Sequence, residues 1–266
     1  MERILVAAFP SDARAYKGLR ALEDMDRQGT ITVYATAVIA ADGESGAVTV
    51  KQAADPGPLG TPVALLTGSL LGPLAGSVGI AVAAGAGTLG RVLYDLARIG
   101  IDEDFLTEVG QALRPGTAAV VAEVWEERIT PLDARILALG GTVLRRVRKE
   151  IVDGQIERDV AALRAELASL AAELASEPEE HRAHVEERID GARTRLRAAQ
   201  QRAKAVLDAL TRESDAKIAW LAARAARARG ERKVRLEARI AEMRSRFRRR
   251  GEKVSGAWAV ARQGLA

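Results

Sequence analysis

Residues 56–90 read PGPLGTPVALLTGSLLGPLAGSVGIAVAAGAGTLG and hold no charged side chain. Two membrane crossings need about 40 apolar residues plus a turn, and this run is shorter and interrupted by Pro56, Pro58, Pro62 and Pro73. Gly68, Gly72 and Gly76 recur every four residues. On a single helix they share a face, where the missing side chains let a neighbouring backbone come close. The run is expected to form a helical hairpin that breaks near Pro73, with arms of roughly 12 and 18 residues. Leu65, Leu70, Val78 and Val82 are its apolar contacts. Such a hairpin, inserted over 56–98, could lie on a sheet, pack against further copies or dip into one leaflet of a membrane.

Strands and helices alternate on both sides of the run. Ile4–Ala8 is a short apolar strand, and Ser11 or Asp12 caps a helix from Ala13 to about Gln28 with Leu19, Leu22 and Met25 as its stripe. Ile31–Ile39 is rich in β-formers, and after the turn Ala41-Asp42-Gly43 the chain returns over Ala47–Gln52. Beyond the run, Asp102–Leu113 is a capped helix, Thr117–Trp125 an apolar strand, Pro131 to Gly140-Gly141 a helix, and Thr142–Val147 a last strand. If these strands share one sheet, both ends of the inserted run lie on the same side of any membrane, and a single crossing is excluded.

From Gln155 onward the pattern is helical. Val160, Leu163, Leu167, Leu170 and Leu174 alternate three and four residues apart, the seam of a coiled coil. After a break at Ser176–Pro178 the seam runs through Val185, Ile189, Ala192, Leu196, Ala199, Ala203, Val206 and Leu210, and a new stripe of Leu236, Ile240, Met243 and Phe247 follows Gly230. Charge sharpens the division. Residues 1–152 carry 15 basic and 18 acidic side chains, residues 153–190 carry 4 and 11, and residues 191–266 carry 21 and 7. An acidic helix followed by basic ones can fold back on itself or attract another copy. Expected, then, is an α+β domain over 1–152 and a charged helical hairpin or three-helix stalk over 153–266.

The chain is 266 residues long, with 3% aromatic residues and no cysteine. Packing must therefore come from Ala, Val, Leu and Ile, and disulfides and thiol-based metal sites are excluded. Met1-Glu2-Arg3 leads into a strand broken by Pro10, which is unlike a secretory signal. A cytoplasmic location follows as the expectation, with association at the inner face of a membrane as a variant of it.

The order of elements, together with Ile4-Leu5-Val6-Ala7-Ala8-Phe9, Val48-Thr49-Val50-Lys51-Gln52, the glycine ladder, Gly100-Ile101-Asp102-Glu103-Asp104-Phe105, Leu113-Arg114-Pro115-Gly116-Thr117 and Gly140-Gly141-Thr142-Val143-Leu144, resembles a bacterial family of glycine-rich proteins. That family is catalogued only as a domain of unknown function and is often labelled predicted membrane protein. The resemblance covers about residues 1–150. It implies a ferredoxin-like α+β fold with an inserted glycine-rich hairpin and no established activity. The long charged helical extension departs from it.

Motifs that could carry chemistry have stronger structural readings. Gly85-Ala86-Gly87-Thr88-Leu89-Gly90 fits the dinucleotide string, with Glu108 near the position of a ribose-binding acid, but the residues before it do not read as a strand. His181 and His184 sit on a charged helical face beside Glu180 and Glu187, too few neighbours for a metal site. Asp102, Glu103 and Asp104 complement a helix N-terminus. Arg244, Arg246, Arg248, Arg249, Arg250 and Lys253 crowd around Phe247, a cationic surface suited to anionic lipid, nucleic-acid phosphate or an acidic protein face. No catalytic, cofactor or metal residue is expected. The reading is a non-enzymatic, self-associating structural protein, with a peripheral membrane protein and a nucleic-acid-binding protein as alternatives.

Overall fold

The computed structural model describes residues 1–53, 59–70, 72–73, 101–147, 151–176 and 178–263. The chain divides into two compact units, Met1–Ile151 and Val152–Ala266.

The first unit is mixed α+β. Its strands are β1 (Glu2–Phe9), β2 (Ile31–Ala41), β3 (Ala47–Gln52), the two-residue β4 (Gly72–Pro73), β5 (Ala118–Glu126) and β6 (Thr142–Val147). Its helices are α1 (Asp12–Gln28), α2 (Thr61–Ser69), α3 (Glu103–Ala112) and α4 (Thr130–Ala138). The sheet runs β4-β3-β2-β5-β1-β6 with every pair antiparallel.

Central β1 and β5 are apolar without alternation because both faces of the sheet are covered. Ile4, Val6, Ala119 and Val121 turn to one face, where Val63, Leu66 and Leu70 of the α2 region and Phe105, Leu106 and Val109 of α3 bury them. Leu5, Ala7, Phe9, Val120 and Val124 turn to the other, under Leu19, Leu22 and Met25 of α1 and Leu132 and Ile136 of α4. Ser11 caps α1 by accepting from the Arg14 N–H, and Asp102 caps α3 by accepting from the Phe105 N–H at 2.9 Å. Each supplies one of the donors that a helix start leaves open.

One expectation fails here. Gly68 and Gly72 do not share a helix face, because α2 ends at Ser69 and Gly72 pairs with Val48 at the sheet edge. Pro73 has no N–H to continue a helix, whereas an outermost strand tolerates that loss. The first arm is therefore a nine-residue helix lying on its own sheet. The second arm, with Gly76, Val78, Val82 and the string from Gly85 to Gly90, lies outside the described residues.

The second unit consists of α5 (Ile151–Ser176), α6 (Glu179–Arg227) and α7 (Gly230–Gln263). Leu170 of α5 packs with Val185, Ile189 and Ala192 of α6, and Leu167 and Leu174 lie against them. Farther along, Leu210, Leu221 and Ala225 of α6 and Leu236, Ile240 and Met243 of α7 are buried. At Ala228 the α6 backbone turns extended and α7 starts afresh at Gly230, so the shift of stripe read from sequence is a break between helices. Among the described residues, no helix is long and apolar enough to cross a membrane.

Candidate functional site

The residues expected at a self-association or membrane interface fall in different places. Leu70 is 1% exposed inside the core, and Leu65 packs against that core half-buried. Among the described residues nothing lies within 4 Å of where a Cβ on Gly68 would stand.

A buried ionic cluster occupies one end of the sheet. Glu126 closes β5 with no exposure at all. Arg3 of β1 donates to its Oε1 at 3.0 Å, and Arg145 of β6 brings Nε to 3.3 Å from the same oxygen. Asp133, in the first turn of α4, receives the other end of Arg145 in a two-point contact whose Nη1–Oδ2 arm is 2.9 Å. Burial pushes the Glu126 carboxyl above its ordinary value, and the nearby Arg145 and Arg3 only partly offset that. Burial also works against the Arg145 charge, but the Asp133 hydrogen bond and the Glu126 carboxylate outweigh it and hold the guanidinium protonated more firmly. Among the described residues Glu126 Oε2 and the Nε atoms of Arg3 and Arg145 have no hydrogen-bond partner. The cluster can tie β1, β5, β6 and α4 together and can take up a proton at Glu126.

On the opposite face Arg146 fixes α3 to β6. It donates to Glu108 at 3.0 Å, lies 3.6 Å from Asp102, and places its guanidinium 4.8 Å from the Phe105 ring centre. Glu108 and Asp102 thus both pair with Arg146 of β6. Among the described residues no three His, Cys, Asp or Glu side chains gather as a metal site would require.

In the helical unit the acidic and basic helices meet directly. Arg188 donates to Glu173 at 2.6 Å and Arg195 to Glu166 at 2.6 Å. Seven residues back along α5 match seven forward along α6, as antiparallel helices require. Between α6 and α7, Lys217 is 2% and Arg239 5% exposed. Lys217 donates to Glu213 at 2.7 Å and Arg239 to Glu242 at 2.9 Å. Burial opposes the Glu242 charge, yet Arg239 and Arg246 outweigh it and hold that carboxyl below its ordinary value. The expected cationic surface is accordingly uneven. Arg246 is tied to Glu242 at 2.7 Å and Arg249 donates to the Ser245 hydroxyl at 2.7 Å, while Arg244 and Arg248 are exposed. Side chains of Arg250 and Lys253 lie outside the described residues.

Lys217, Arg239, Glu126 and Arg145 escaped the sequence reading. For Lys217 a signal existed: Leu210, Ser214, Lys217, Leu221 and Ala225 continue the three-and-four spacing, which puts a lysine in the seam. Glu126 carried none, since it ends an apolar strand where a carboxylate is ordinarily solvated.

A family model described as a protein of unknown function (DUF1269) matches residues 59–167. The match takes in α2, β4, α3, β5, α4, β6 and the start of α5, and so runs from the first unit into the second. It supports the expectation of a domain family of unknown function but not the extent read from sequence, because β1, α1, β2 and β3 precede it. No curated protein and no solved structure matches the chain.

Proposed function

We propose that the protein is a non-enzymatic, self-associating structural protein in which a ferredoxin-like domain carries an antiparallel coiled coil. The order β6-β1-β5-β2, with α1 joining β1 to β2 and α4 joining β5 to β6, supports the ferredoxin-like reading. β3, β4, α2 and α3 are then an elaboration between its second and third strands. The observation that carries the structural role is the pair of contacts Arg188–Glu173 and Arg195–Glu166, one heptad apart beside an apolar seam. They favour one antiparallel register of acidic and basic helices over its alternatives.

This framework suits a load of packing and spacing. The seams that close within the chain leave surfaces outside them, including exposed Ile129, Leu137 and Val147, for contact between copies. Light scattering on protein purified without detergent tests the reading. A discrete multimer that persists on dilution is the expected result. A monomer throughout the accessible concentration range would refute self-association.

A further inference from the structure

Leu236, Ile240 and Met243 of α7 are each under a tenth exposed. The apolar stripe is thus covered between residues 236 and 243, and the opposite side presents exposed Val234, Ala238 and Ala241 with half-buried Ser245. Arg248 and Arg249 follow Ser245 by three and four residues, which sets one arginine on each side of that line of small residues. Arg244 stands one turn before Arg248 on the same flank. All three are exposed. Among the described residues Arg244 and Arg248 pair with no carboxylate, and Arg249 meets only the Ser245 hydroxyl. Residues 243–263 hold seven basic side chains against the single acid Glu252.

We infer that this outer side of α7 is a binding surface for duplex nucleic acid, held through the phosphates. A guanidinium fork matches two phosphate oxygens at once. A helix with its side chains, about 10–12 Å across, enters a major groove about 12 Å wide. Small residues at the front of α7 let it approach the groove floor, and the flanking arginines reach the phosphates on either wall. Such contacts position the protein without reading bases, so binding is independent of sequence. A bilayer surface is the poorer fit. A helix lying on lipid binds by sinking an apolar face, and here Leu236, Ile240 and Met243 are buried within the protein.

The test is a titration of the full-length protein with a short mixed-sequence DNA duplex over a series of salt concentrations. Affinity should fall with salt on a logarithmic slope of about −0.9 for each phosphate contacted. The triple variant Arg244→Gln, Arg248→Gln, Arg249→Gln should bind at least about tenfold more weakly and lose about three units of that slope, with helix content by circular dichroism unchanged. The corresponding triple lysine variant should keep most of the binding, because the charge remains. Vesicles of phosphatidylserine and phosphatidylcholine serve as the competitor. Preference for the vesicles, no duplex binding at low salt, or glutamine-variant binding equal to wild type would each overturn the assignment.

Discussion

Phe9 is 2% exposed, and two glycines make its place. A Cβ built on Gly18 of α1 would stand 2.2 Å from the ring, and one built on Gly141 would stand 2.5 Å from it. Gly140 has a different task, closing α4 at a φ of +75° that side chains disfavour. The pair Gly140-Gly141 reads in sequence simply as a helix stop, and only packing separates the two roles. Gly141→Ala should destabilise the first unit by about 1–3 kcal/mol, the usual cost of overpacking. Urea denaturation measures this, and adding Phe9→Leu should recover part of the loss. Glu126 supplies a second test at this scale. Its carboxyl is held above the ordinary value, so between the two values the folded chain binds more protons than the unfolded one. Its contribution to stability therefore falls as pH rises through the raised value. Glu126→Gln removes that titration, and the stability of wild type relative to the variant should drop over the same pH window. A constant difference across it would show that Glu126 does not titrate there.

At the scale of elements, strands β1 and β5 and helices α1 and α3 were legible because their cues are local: apolar runs, Ser11 and Asp102 caps, and terminating glycines. The glycine ladder does not form a shared helix face, for an equally physical reason. A four-residue period predicts a shared face only while one helix continues, and the sheet edge beside Val48 competes successfully for Gly72. The α5–α6 seam was readable as a period, but its antiparallel direction needed the pairs Arg188–Glu173 and Arg195–Glu166. A double-mutant cycle with Arg188→Ala and Glu173→Ala should give a coupling of about 0.2–1 kcal/mol that shrinks as salt rises, because both side chains are partly exposed. Coupling that is absent at low salt would remove this pair as a determinant of register.

For the whole molecule, the two compact units predict unfolding that is not a single transition. Trp125 belongs to the first unit, and Trp220 and Trp258 to the second. A Trp220→Phe, Trp258→Phe variant therefore reports the first unit alone, and Trp125→Phe reports the second. Urea curves from the two should have different midpoints, while coincident curves would mean that the units unfold together. By itself the sequence pointed to an α+β part followed by a charged helical part, because the hydrophobic period changes near residue 152 and the charge balance reverses near residue 190. It also determined most helices and strands, whose signals lie within a few residues of one another. Only the tertiary structure decided that Gly72 joins a sheet, that Glu126 is buried between Arg3 and Arg145, and that Arg239 is buried in the helical unit. Each of those outcomes depends on which distant segments meet, since burial and pairing are properties of the neighbours a side chain acquires when the chain folds.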